Sequence, residues 1–277
     1  VKRHHLAALA LLATAGAWGA TFVLVKSVIQ RIAPEPFIFW RFTLAGAILC
    51  VFAAMRGRFT RALLRPGITL GLLVFFGYWA QTRGLLTISP SRSALLTGIY
   101  VVLVPFFQWR TSGRPKPAAW LAALLALAGT WVFIGGGFEA RLTFGDLLTL
   151  GGAVLFALHV VLSARWSKHE TATALAAVQV LFVGLAAGPL AIFAKPTPWD
   201  FRVVAAIVFT AVVTTALAFA ALMWGQAHVT ATEAAVILSF EPVAAALVSI
   251  AFYGEPLTAA FFIGAALIVG AMVLSQV

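Results

Sequence analysis

Charge is the first shortage. Only 10% of the 277 residues are Asp, Glu, Lys or Arg, against roughly a quarter in soluble domains, so the chain has too little polar surface to cover its apolar residues in water. Acidic residues are scarcer still, 8 against 19 basic ones. The resulting formal charge of +11 does not point to nucleic acid, because the basic residues sit between apolar runs and form no basic face or tail. Cysteine is nearly absent: Cys50 stands alone inside an apolar run, where it can close no internal disulfide and join no cysteine metal cluster. Catalytic signatures are missing too. There is no G-x-x-x-x-G-K-S/T loop for ATP, no H-E-x-x-H metal helix and no G-x-S-x-G elbow, so an ATP-driven pump, a zinc enzyme and an intramembrane hydrolase of those types lack support, and neither metal nor cofactor is expected.

Apolar sequence is what the chain has in abundance. With 62% hydrophobic residues and a mean hydropathy of +1.03, it is laid out as runs of about 17 to 24 apolar residues, the length that crosses ~30 Å of hydrocarbon as a helix. We expect ten spans: Leu6 to Val28, Pro36 to Met55, Pro66 to Ile88, Ser93 to Trp109, Pro117 to Ile134, Phe144 to Trp166, Thr173 to Phe193, Phe201 to Trp224, Glu233 to Phe252 and Pro256 to Gln276. A closed barrel is excluded because its strands are about ten residues of alternating hydrophobicity, whereas Leu121 to Leu127 is apolar on every face. The first run is long enough to span and ends in no A-x-A-like site, so it is read as a helix and not as a cleaved signal. The expected fold class is therefore an all-α polytopic membrane protein in contact with the lipid bilayer.

Topology follows from the basic residues. Numbering the connections alternately, Lys2, Arg3, Arg56, Arg58, Arg61, Arg65, Arg110, Arg114, Lys116, Arg165 and Lys168 fall on one side, and Arg31, Arg83, Arg92, Arg141, Lys195 and Arg202 on the other. The bias places both termini in the cytoplasm of a multi-pass inner-membrane protein. A glycine break at Gly135, Gly136 and Gly137 divides the chain into residues 1–137 and 138–277, five spans each. A shift of 141 residues aligns Ala94 with Ala235, Gly113 and Pro115 with Gly254 and Pro256, Ala118 and Ala119 with Ala259 and Ala260, and Gly129 with Gly270. An internal repeat is the reading. Because five is odd, the second copy must enter the membrane from the opposite side. Inverted repeats place a substrate site near the midplane between the halves and expose it alternately to each side.

The stretch Ser89 to Ile134 and its counterpart Ala231 to Leu274, with Glu241 and Pro242 and then Gly254 and Glu255, resemble the two repeats of the EamA-like transporters of the drug/metabolite transporter superfamily. Gly145, Asp146, Leu147 and Leu148 look like that family's start to its second repeat. The resemblance covers nearly the whole chain. It implies a ten-helix secondary transporter of two inverted five-helix repeats, often an exporter of amino acids, aromatic ones included, or of related metabolites. The superfamily also holds nucleotide-sugar and triose-phosphate carriers, and it leaves the cargo open.

Within the spans, Glu241 is the deepest acidic residue, eight residues past Glu233 and so ~12 Å into its helix. An intramembrane carboxylate suggests a proton relay or ligand partner; a hydrogen-bonded structural group at the Pro242 kink is an equal alternative. Lys26 and Arg41, near the non-cytoplasmic ends of their spans, are expected to snorkel to the interface, with capture of a substrate carboxylate the lesser reading. His159 is read as a hydrogen-bonded histidine facing protein or a cavity. Trp18, Thr21, Phe22, Tyr78, Trp79, Gln81, Thr82, Thr97, Tyr100, Thr214, Thr215, Phe219, Ser239 and Phe240 share the middle third of their spans, where rings and hydroxyls can line a cavity for a partly apolar zwitterion. Packing is the plainer account of each taken singly, as it is of Gly67, Gly71, Gly184 and Gly188. Trp109, Trp120, Trp166, Trp199 and Trp224 read as an interfacial belt.

The expected function is secondary export of amino acids or similar metabolites by alternating access, drawing on protons through Glu241. The alternatives are another cargo such as cationic drugs or nucleotide sugars, an uncoupled facilitator, or a membrane protein that does not transport.

Overall fold

The computed structural model describes residues 2–57, 59–133, 142–244, 247 and 258–275. The elements are α1 (Lys2–Gly19), α2 (Phe22–Ile29), α3 (Pro34–Met55), a short 3₁₀ turn (Arg61–Leu63), α4 (Leu64–Leu85), α5 (Pro90–Gly98), α6 (Tyr100–Ser112) and α7 (Pro117–Phe133). Then come α8 (Phe144–Trp166), α9 (Ala172–Ile192), α10 (Phe201–Ala211), a π-helical turn (Val212–Leu217), α11 (Ala218–Gln226), α12 (Ala231–Leu238) and α13 (Ala259–Leu274). No strand occurs among the described residues. Seven of their helical segments are long and apolar enough to cross a membrane; α7 and α13 are apolar but shorter. The glycine break at 135–137, the boundary at 137/138, and Gly254, Glu255 and Pro256 lie outside the described residues.

Helix starts follow local chemistry. Pro34 and Pro90 stand in the first turns of α3 and α5, where a missing N–H costs nothing. Ser89, Asp200, Thr230 and Thr258 each accept a hydrogen bond from the backbone N–H three residues on, satisfying one orphan donor of the helix that follows. Thr143 and Asp146 form a full capping box at α8.

Three expected spans are broken where a continuous helix was read. The first divides at Ala20 and Thr21, where the Thr21 N–H and hydroxyl both return to the Trp18 carbonyl at 3.0 and 2.8 Å. The fourth divides at Ile99, and the ninth at Ser239 and Phe240, with helical backbone resuming over 241–244. Ser239 Oγ donates to the Val236 carbonyl at 2.5 Å and Phe240 N–H to the Ile237 carbonyl at 3.1 Å, so the turn tightens locally. Residues 99 and 240 are 141 apart, the shift that aligned the halves. Run length sees only hydrophobicity, and side-chain hydroxyls competing for carbonyls are invisible to it.

The elements pack across the two halves: α3 on α9, α4 on α8, α1 on α11, α6 on α12 and α7 on α13. Glycines permit the closest of these approaches. A Cβ on Gly46 of α3 would lie 2.6 Å from Leu181 Cα of α9, and one on Gly184 of α9 would lie 2.6 Å from Thr43 N of α3. Gly84 of α4 and Gly145 of α8 likewise face each other's carbonyls, at 2.6 and 2.9 Å from the built Cβ positions.

Candidate functional site

Between the halves lies a cavity. Trp18, Thr21 and Phe22 reach it from the α1/α2 break, Tyr78 and Gln81 from α4, Thr97 and Tyr100 from the two sides of the α5/α6 break, His159 from α8, Phe219 from α11, and Glu241 from just beyond α12. Three discontinuous helices thus converge on one space, the arrangement in which freed backbone and re-aimed side chains serve a ligand.

The walls are aromatic. The Tyr78 ring stands edge-on to Phe42 at 5.1 Å and to Phe156 at 5.4 Å, and Phe219 lies 5.8 Å from Trp18 and 6.2 Å from the His159 ring. These are ordinary edge-to-face spacings. Polar lining groups are tied in place. Gln81 Nε2 donates to Thr97 Oγ1 at 2.8 Å, Trp18 Nε1 to the Thr214 carbonyl at 2.9 Å, and His159 Nε2 pairs with Gln179 Oε1 at 2.7 Å. Glu241 lines the cavity and forms no hydrogen bond or ion pair among the described residues.

Arg41 was misplaced by the expectation of snorkelling. Its side chain is 4% exposed and lines the cavity. The guanidinium Nε donates to Thr215 Oγ1 at 2.7 Å and Nη2 to Thr214 Oγ1 at 3.1 Å, and the carbon lies 5.3 Å from the centroids of both Phe42 and Tyr78. The π turn explains the reach: Thr214 and Thr215 hydroxyls both return to the Thr210 carbonyl, at 3.1 and 2.9 Å, and the widened turn presents both toward α3. Such turns recur at functional sites. A sequence signal existed. Arg41 is seven residues past Pro34, ~10 Å along the helix, nearly the depth that singled out Glu241.

Lys26 reaches the end of a neighbouring helix. Its Nζ donates to the carbonyl oxygens of Leu85, Leu86 and Ile88, covering orphan acceptors at the end of α4. Five other residues expected at the site stand off the cavity lining. Trp79 Nε1 donates to Glu35 Oε1 at 3.0 Å, beside Arg83; Thr214 serves Arg41 and Trp18 and Thr215 serves Arg41; Ser239 turns back on its own helix; Phe240 packs against the main apolar core. One-dimensional depth cannot tell which face of a helix looks inward. Conversely, Phe156, Val25, Val74 and Val160 line the cavity with no polar atom to mark them in sequence.

The lining runs from the broken helices toward Val25 and Leu85, at the end where α2 and α4 finish. At the other end the start of α12 is fastened. Gln108 Oε1 accepts from Thr232 N–H at 2.9 Å and from its hydroxyl at 2.8 Å, and His4 Nε2 lies 2.9 Å from Glu233 Oε1. On the Val25 side, Arg31 pairs with Asp200. The Val203 N–H, with Arg31 adding to it, holds the Asp200 carboxyl below the usual carboxylate range.

Comparison with known proteins places the chain. A family model described as the EamA-like transporter family matches residues 5–135 and 143–276. An uncharacterized transporter of Archaeoglobus fulgidus is 30% identical over 99% of this chain and 86% of its own length. The Bacillus subtilis uncharacterized transporter YyaM is 27% identical over 91% of this chain and 87% of its own. A solved crystal structure superposes with a TM-score of 0.81 at 23% identity, covering 98% of this chain and 96% of that one, which is a likeness of fold.

Proposed function

The chain belongs to the EamA-like transporter family, a multi-pass membrane transporter of small molecules, and from that premise we propose that it is a secondary exporter of amino acids or related metabolites working by alternating access. The observation that carries this reading is the cavity at the meeting of three broken helices, walled by rings and holding both Arg41 and Glu241. Ten spans in two inverted five-span halves, divided near 137/138, fit the packing. Exchanging each helix for its counterpart five spans on leaves the pairs α3 with α9 and α7 with α13 unchanged and swaps α4 with α8 for α1 with α11, as a two-fold relation requires. Both termini are assigned to the cytoplasm of an inner membrane by the basic residues. Under that orientation the Gln108 and His4 contacts to α12 close the cytoplasmic end, and the two halves rock about the cavity to open it.

Counterflow into proteoliposomes tests the cargo. Exchange of at least one amino acid, with aromatic ones tried first, is expected; competition by cationic drugs or nucleotide sugars alone would replace that cargo with another. Glu241 is proposed to carry the coupling proton. One pH unit is worth about 1.4 kcal/mol, or about tenfold accumulation per coupled proton. Glu241→Gln is therefore expected to lose that tenfold accumulation under a one-unit gradient, with exchange at equal pH weakened but still measurable. Unchanged accumulation would make Glu241 architectural and the protein a facilitator.

A further inference from the structure

Three arginines of the bundle are answered by carboxylates. Arg83 meets Glu35, Arg92 meets Asp146 and Arg31 meets Asp200. Arg41 is more deeply buried than these, yet among the described residues its polar contacts are neutral: two threonine hydroxyls, a carbonyl and the Tyr78 hydroxyl, with ring faces of Phe37, Phe42 and Tyr78 around it. Neutral dipoles and ring faces soften the charge without cancelling it, and an uncancelled charge at this depth is costly. The same cavity holds the equally unanswered carboxylate of Glu241, and the two form no ion pair with each other.

We infer that Arg41 is the anchor for a carboxylate of the transported solute. This rests on the reading of the cavity as the substrate site. The chemistry narrows the ligand. The lining holds one arginine, no lysine and one glutamate, too little positive charge for a phosphate dianion, whose recognition uses several cationic donors. A monoanionic carboxylate suits one guanidinium, whose donors lie in a plane matched to it. The Glu241 carboxylate then faces the other end of the solute, so a zwitterion leaves no charge unmatched. Tyr78, Phe156 and Phe219 form the walls between, against which an apolar or aromatic body packs. The π turn is the support: by pointing Thr214 and Thr215 at one guanidinium it holds the fork still, and fixed donors lose less on binding.

A rivet between α3 and the π turn is the competing role, and it predicts a different result. Binding of three matched probes to the full-length protein in lipid nanodiscs separates them: phenylalanine, phenethylamine without the carboxylate, and 3-phenylpropionate without the amine. Wild-type protein is expected to bind phenylalanine at least tenfold more tightly than phenethylamine. Arg41→Gln should erase that preference, and Arg41→Lys should keep part of it. If Arg41→Gln does not fold, the reduced preference of Arg41→Lys is the readout. A rivet would lower thermal stability and leave the preference at its wild-type ratio, which would overturn the anchor. Wild-type protein that binds phenethylamine as well as phenylalanine overturns the anchor alone. Wild-type protein that binds none of the three overturns the substrate reading of the cavity and the anchor with it.

Discussion

Asp146→Ala is expected to lower stability by about 3–5 kcal/mol. Asp146 is fully buried and Arg92 nearly so. Arg92 Nε and Nη2 donate to Asp146 Oδ1 and Oδ2 at 2.5 and 2.8 Å, the bidentate geometry that makes such pairs strong. The same carboxylate caps α8, accepting the Thr143 N–H at 2.6 Å and hydroxyl at 2.9 Å. Alanine removes all of this. Asp146→Asn keeps an acceptor for the cap and should lose less. Thermal unfolding in detergent measures both, and a cycle with Arg92→Met separates pairing from capping. A double variant whose loss equals the sum of the single losses would mean that the pair contributes no coupling. Arg92 belongs to α5 of the first half and Asp146 to α8 of the second, so the variant is also expected to loosen the seam between halves.

Gly184→Val is the second. A Cβ there would meet Thr43 N at 2.6 Å and Thr43 Cα at 2.8 Å, backbone atoms of a facing helix that cannot rotate away. Alanine alone should cost about 1–3 kcal/mol through overpacking, and valine should abolish a monodisperse folded species on size exclusion. Gly46→Ala should match the alanine variant, because Leu181 Cα and N stand 2.6 and 2.8 Å from its built Cβ. Gly188→Ala is the control four residues along the same helix. Its nearest neighbour is the Phe39 ring at 3.4 Å, ordinary contact, so the gain in helix propensity over glycine should leave it neutral or stabilising. Equal losses at 184 and 188 would mean that close approach of α3 and α9 does not depend on this glycine.

Much of the cavity was legible one helix at a time. Rings and hydroxyls in the middle third of a span, at Trp18, Thr21, Tyr78, Gln81, Thr97 and Tyr100, stand on its lining, because a polar atom at that depth needs a partner or a cavity. The same rule admitted Trp79 and Ser239, whose partners turned out to be Glu35 and their own helix. Depth gives a residue's height in the membrane and says nothing of its azimuth. The family motif at Gly145 and Asp146 was visible as a pattern without a reason. The reason is spatial: a Cβ on Gly145 would lie 2.1 Å from Thr87 Oγ1 and 2.9 Å from the Gly84 carbonyl, so only glycine lets α8 approach α4 closely enough for Asp146 to meet Arg92.

The membrane class and the helical composition were settled by sequence, because hydrophobic run length and turn residues are properties of the chain read in order. Which charges are answered was decided by tertiary structure alone. Arg41 finds its hydroxyls 174 residues away, at Thr215, and finds no carboxylate; Arg92 finds Asp146 at a separation of 54. Electrostatics acts through space, and the cost of a buried charge depends on neighbours that only folding supplies.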